Sequence, residues 1–180
     1  MKGDPKVAAS YFKQAEDIFS KSSNNMFLIG VHYTWATLLM NQNENLDALA
    51  KFQVAYTLAK ESIPFQTVVA SLCYKLAVLH TRMDLFKEAK ERLKEGMTIS
   101  ENHKREEFIA RIGRQWALTI LTIDADPTST DEEKDMAAEM KKTSEDIRQR
   151  LWEQINPYVK DASNVQEEEQ YRWLLAAWYR

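Results

Sequence analysis

Three histidines, His32, His80 and His103, and a single cysteine, Cys73, are the side chains here best suited to hold a metal or act as a tuned nucleophile or base. A zinc centre needs four Cys or His ligands, usually delivered as closely spaced pairs. No His-x-x-x-His pair occurs, and one cysteine supplies neither a Cys-x-x-Cys pair nor an intramolecular disulfide. Cys73 therefore reads as a small apolar core residue. The sequence has no Gly-x-Gly-x-x-Gly, P-loop or Gly-x-Ser-x-Gly segment to cradle a phosphate or raise a nucleophile. The paired carboxylates Glu106-Glu107 and Glu132-Glu133 and the run Glu167-Glu168-Glu169 lie in polar stretches of helical character, where solvated faces explain them. No enzyme, no cofactor and no metal site are expected.

The chemistry left over is that of recognition. Tyr33 and Tyr74, with Thr37, Asn41, Thr81 and Arg82 nearby in sequence, offer ring area together with hydrogen-bonding groups. Lys104, Arg105, Arg111 and Arg114 form a modest basic patch, suited to an acidic ligand segment or to a solvated face. Tyr171, Trp173, Trp178 and Tyr179 crowd the last residues.

A repeat positions these residues. Ala48, Phe52 and Ala55 fall at i, i+4 and i+7, a helical stripe with small residues on either side of one aromatic. The triplet occurs 40 residues earlier as Ala8, Phe12 and Ala15, and 41 residues later, softened, as Ala89, Leu93 and Gly96. Twelve residues before each later triplet sits a large-then-small pair, Trp35-Ala36 and Leu76-Ala77, which returns as Trp116-Ala117. Small residues on facing helices let two backbones approach, and the large residue fills the gap between hairpins. Steps of this size mark a helical repeat array.

The pattern resembles the tetratricopeptide repeat (TPR), whose helix A carries a large-small pair and whose helix B carries alanine, aromatic, alanine. The match covers about residues 26–100 and the first helix. The repeat-closing proline is missing, alanine replaces the glycine of the helix A pair, and the period exceeds the usual ~34 residues. Periods near 40 resemble the long-repeat subset, which includes kinesin light chains, Rap and PlcR-type peptide receptors and the cohesin-loader subunit. The resemblance implies an all-α, right-handed superhelix of antiparallel hairpins, an α-solenoid. It also implies a groove lined by the A helices, with Tyr33, Thr37, Tyr74, Val78, Arg114 and Leu118 facing inward. Met40, Asn41, Thr81 and Arg82 would continue that surface one turn on. Tyr33 and Tyr74 fit equally as residues packed between helices. A chaperone-tail clamp would need lysines and asparagines at these places, and only Lys75 has that chemistry.

Composition agrees with one helical domain. Hydrophobic residues make up 44%, enough for a core, and four glycines and four prolines leave little turn chemistry for a β fold. A net charge of −3 argues against direct, non-specific nucleic-acid binding. No apolar run reaches the ~18 residues of a membrane span, and no signal-peptide core opens the chain. A cytoplasmic or nuclear protein is expected.

Along the chain, one domain over 1–180 divides into a helix B of a partial repeat (1–22), repeats at 26–61 and 64–100, a degenerate repeat at 104–156, and a terminal helix at 164–180. Asp4 and Pro5 open the first helix as N-cap and first position. Ser22 to Asn25 break the chain, Pro64 begins the second complete repeat, and Met83-Asp84 makes its turn. Thr130 and Glu133 read as a capping box for a long polar helix that Asn156-Pro157 ends. Its stripe is Met136, Met140, Ile147, Leu151 and Ile155. The half-hairpin at the start means either a segment of a longer array or a face covered by a partner or second copy. The terminal aromatics, Trp173 among them, either close the array or meet a missing repeat or partner.

The expected function is a non-catalytic scaffold or adaptor that binds a partner protein or peptide through the groove or the open ends. The open ends fit a homo-oligomer or an obligate hetero-complex. Two alternatives stand beside it: a peptide-responsive sensor resembling the Rap and PlcR-type receptors, and a constitutive subunit of an assembly resembling the cohesin loader.

Overall fold

The computed structural model describes residues 5–22, 25–62 and 66–161. These form seven α-helices, with no strand among the described residues: α1 (Pro5–Lys21), α2 (Asn25–Asn41), α3 (Asn45–Lys60), α4 (Gln66–Arg82), α5 (Phe86–Asn102), α6 (Glu106–Ala125) and α7 (Asp131–Asp161). The all-α reading holds, and the boundaries fall within two residues of the expected ones except at the end of α7. There the helix continues to Asp161 rather than ending at Asn156-Pro157. A proline removes one backbone donor and kinks a helix, which does not oblige the chain to leave it. Asp4, Ser23-Asn24, Pro64 and the expected helix at 164–180, Trp173 included, lie outside the described residues. Among the described residues no helix is long and apolar enough to cross a membrane.

The chain divides into two compact units, Met1–Arg105 and Glu106–Arg180. In the first, α1 packs on α2, α2 on α3, α3 on α4 and α4 on α5. The repeat residues are its core: Ala36, Ala48, Phe52, Ala55, Leu76, Ala77, Ala89 and Leu93 are all fully buried. Alanines at these places let α2–α3 and α4–α5 close to backbone contact, and Phe52 or Leu93 fills what remains. The A-type helices α2 and α4 also touch directly. Tyr33 Oη lies 3.3 Å from Ser71 Oγ, and Arg82 Nη1 donates to the Met40 carbonyl at 3.4 Å. The B-type helices are joined by ions: Lys51 to Glu16 at 3.1 Å, and Lys60 to Glu95 at 3.1 Å.

The first triplet is covered less well. Ala8, Phe12 and Ala15 are half-buried, although Phe12 stacks on Trp35 at 5.6 Å. Elsewhere on α1, Val7, Tyr11 and Ile18 stay exposed.

Three turns share one backbone solution. Asn43, Asp84 and Lys104 adopt φ of 62°, 57° and 51°. Each follows a helix whose end is closed by a paired set of bonds: Glu44 N to Leu39 O with Asn43 N to Met40 O, Leu85 N to His80 O with Asp84 N to Thr81 O, and Arg105 N to Ser100 O with Lys104 N to Glu101 O. This is the Schellman closure, which favours glycine or asparagine at the left-handed position. Asn43 and Asp84 tolerate that conformation, whereas lysine has no local hydrogen bond to offset the cost. Lys104→Gly is therefore expected to raise the free energy of unfolding by about 1 kcal/mol, with Lys104→Ala giving no gain. Urea-denaturation midpoints of the three proteins check this.

In the second unit α6 and α7 form a hairpin around Ile112, Trp116, Ile123, Met136, Ala137, Met140 and Ile147. The capping box forms as expected. Glu133 Oε2 accepts from the Thr130 amide at 2.7 Å, and the Glu133 amide donates to Thr130 Oγ1 at 3.2 Å. Ser129 Oγ, buried in the connection, donates to the Ile123 carbonyl at 2.8 Å. The side chains of Leu151 and Ile155 lie outside the described residues.

Candidate partner-binding face

Helices α2 and α4 repeat with a 41-residue offset, so Gly30, Tyr33, Thr34, Thr37 and Asn41 correspond to Ser71, Tyr74, Lys75, Val78 and Arg82. At 100° per residue these five positions share one face of each helix. All of them are half-buried or exposed, so the two faces reach solvent. Tyr33 leans its ring edge on Phe52 at 5.6 Å and directs its hydroxyl toward Ser71. Thr37 returns its hydroxyl to the Tyr33 carbonyl at 2.8 Å. Lys75 Nζ lies 6.0 Å from the Tyr74 ring centroid. A half-buried ring held on one side and open on the other gives contact area at low entropic cost.

Met40 and Thr81 lie elsewhere. Both are buried, because each follows the small residue of its pair, Ala36 or Ala77, by one helical turn and shares its inward face. The Thr81 hydroxyl donates to the Ala77 carbonyl at 2.9 Å. The face therefore brings together Tyr33, Thr37, Asn41, Tyr74, Val78 and Arg82, and not Met40 or Thr81. In the second unit, Arg111 and Arg114 are exposed on α6, along with Leu118 and Leu121, and Arg111 pairs with Glu107. The motif pattern singles out neither Gly30 nor Ser71; the 41-residue register between the A helices finds both.

Charge divides between the two sets of helices. Neither α2 nor α4 contains a carboxylate, and their only lysine or arginine side chains are Lys75 and Arg82. Every carboxylate on helices α1 to α5 belongs to α1, α3 or α5. His32 and His80 are buried, and burial lowers the pKa of each, favouring the neutral imidazole. The Nδ1 atoms of both lack a hydrogen-bond partner, and His32 Nε2 lies 3.7 Å from Glu16. Among the described residues no group of His, Cys, Asp and Glu has the spacing of a metal site.

Behind the face lies a polar cluster that sequence motifs do not reveal. Tyr56 Oη donates to both Glu95 oxygens, at 2.7 and 2.6 Å, with Lys60 at 3.1 Å and Arg92 at 2.9 Å completing the shell. Arg92 also stacks over the Tyr56 ring at 4.3 Å. Cys73 Sγ lies 3.6 Å from Glu95, and burial raises its pKa far above the usual thiol range. Burial alone would raise the Glu95 pKa, but Tyr56, Lys60 and Arg92 hold it below its ordinary value of 4.5. One trace of the cluster is in the sequence. Lys51 follows Glu16, and Glu95 follows Lys60, by the same 35 residues.

Compared with known protein families, curated proteins and solved structures, the chain matches none. The face and the cluster behind it therefore stand on their own chemistry.

Glu95→Ala leaves the Tyr56 hydroxyl and two cations without their shared acceptor. An expected loss of about 2–3 kcal/mol follows, with a smaller loss for Glu95→Gln, whose amide oxygen still accepts from Tyr56. The contribution is present in full above the unfolded carboxyl's pKa. It is lost as pH falls through the lower folded value, where the folded protein takes up the proton last. Urea denaturation at neutral and acidic pH measures both effects, and equal stability of wild type and Glu95→Ala at neutral pH would contradict them.

Proposed function

We propose that the chain is a non-catalytic scaffold that binds a partner protein or peptide on the shared face of α2 and α4. The observation that carries this reading is a solvent-reaching face built from the same five positions of two alternate helices, α2 and α4, each contributing a half-buried tyrosine. It belongs with a TPR-like superhelix, in which the A helices line the groove. A cytoplasmic or nuclear setting belongs to the same proposal.

Gly30 supplies the test. It sits in the middle of α2, where glycine costs about 1 kcal/mol relative to alanine. A Cβ built there meets nothing within 4 Å, so no internal packing needs the glycine. Gly30→Ala is expected to stabilise the protein by about 1 kcal/mol, read as a rise in melting temperature. Gly30→Trp projects a large ring into open space over the face while leaving the core untouched. Partners captured from a native lysate by wild type are expected to be lost with Gly30→Trp at unchanged circular dichroism. Full retention of those partners by a folded Gly30→Trp protein would remove the face from consideration.

One observation favours a second reading, a subunit of a stable complex. Val7, Tyr11 and Ile18 form an exposed stripe on α1 at positions where α3 and α5 carry Asp47 and Glu88, Lys51 and Arg92, and Leu58 and Ile99. Tyr11→Glu with Ile18→Glu separates the two readings, since it abolishes capture only if this stripe is the docking surface.

A further inference from the structure

We infer that the partner segment docking on this face is an α-helix, laid beside α2 as α2 itself lies beside α4. The inference rests on the binding reading above and names the kind of segment that binds. The contact between α2 and α4 is the template. Tyr33 reaches Ser71 at 3.3 Å, and Arg82 donates to the Met40 carbonyl, near the end of α2, at 3.4 Å. Leu72 and Leu79 are fully buried in a cluster shared with α2 and α3. The positions of Ser71, Arg82, Leu72 and Leu79 recur 41 residues earlier on α2 as Gly30, Asn41, Val31 and Leu38. There Val31 and Leu38 are only half-buried, Asn41 is exposed, and a Cβ built on Gly30 meets nothing within 4 Å. Among the described residues of Met1–Arg105, no A-type helix covers that edge of α2.

The same edge fixes the chemistry of the docked helix. An extended segment would press its amides and carbonyls onto Val31 and Leu38, which offer them no hydrogen bond, whereas a helix has already paired them internally. No Asp, Glu, Lys or Arg occurs on α2, so a charge in the contacting row of the partner would lose its water and gain no partner. A helix without charge on any side is ordinarily covered on every side. At Ser71 the template seats a tyrosine, and Gly30 is smaller, so the partner places a tyrosine or a tryptophan there. Asn41 stands where Arg82 stands, and its amide supplies donors for the last-turn carbonyls of the docked helix.

Phage selection on the immobilised full chain tests this with two libraries in parallel: random linear twelve-residue peptides, and a stable two-helix mini-protein randomised along one exposed helical row. Folded Gly30→Trp protein is the counter-selection. Binders lost on Gly30→Trp are expected to come from the helical library and to carry Tyr or Trp in the randomised row with no charge beside it. Their affinity is expected to be the same at low and high salt. Gly30→Ser, which recreates the Ser71 seat, is expected to keep them, and Gly30→Leu to weaken them about tenfold. Gly30→Trp-sensitive binders that come from the linear library and survive a proline at their centre, or helical binders whose affinity falls with salt, would overturn the uncharged helix and leave the face standing. A wild type that sediments as a dimer while Gly30→Trp sediments as a monomer would make a second copy the occupant and overturn the partner assignment. No binder from either library that distinguishes wild type from Gly30→Trp would remove the face itself, and the inference with it.

Discussion

Phe52→Ala is expected to lower the free energy of unfolding by about 3–5 kcal/mol, the cost of emptying a fully packed aromatic site. Phe52 has no exposed surface and sits between Ala48 and Ala55, neither of which can move in to fill the void. Its ring also supports Tyr33 edge-on at 5.6 Å, so the face on α2 loosens with the core. Phe12→Ala provides the comparison. It removes the same residue from the same repeat position, but Phe12 is half-buried and meets Trp35 on one side. A loss of about 1–2 kcal/mol is expected there, because solvent already covers part of the ring. Paired urea denaturations, with hydrogen exchange along α2 and α3, report both values. Equal losses at the two positions would mean that α1 is covered as fully as α3.

Trp116→Ala is the second large effect, at about 3–5 kcal/mol and confined to the unit formed by α6 and α7. The indole is almost completely buried, and its Nε1 donates to the Met140 carbonyl at 2.9 Å. Removing it opens a cavity against Met140 and takes away the bond that fixes α7 against α6. Trp116→Phe keeps most of the ring area and loses only the donor, so about 1 kcal/mol is expected. Hydrogen exchange of the α6 and α7 amides reads this directly. Protection lost equally in both variants would assign the effect to the hydrogen bond, and protection lost in neither would show that the indole does not anchor the hairpin.

Most of the helices are legible in the chain because their signals are local. Asn43 and Asp84 mark turns, Thr130 with Glu133 forms the cap it spells, and the alanine triplets are buried as their spacing demands. Pro157 misleads because it is a local breaker signal, and the loss of one backbone donor does not oblige the helix to end there. Met40 and Thr81 show the limit from another side. Their types suit a surface, but one helical turn from Ala36 and Ala77 they share the inward face.

The sequence by itself determined the order of the seven helices among the described residues, the small-residue seams and the absence of carboxylates from α2 and α4, since each depends on residue type and short spacing. Only the tertiary structure decided that Tyr33 meets Ser71, that Glu95 gathers Tyr56, Lys60, Arg92 and Cys73, and that Val7, Tyr11 and Ile18 stay in solvent. Apart from the i, i+3 pair of Arg92 with Glu95 inside α5, those contacts join residues 22 to 39 positions apart, or depend on what packs against a helix, and no local periodicity specifies a distance between separate helices.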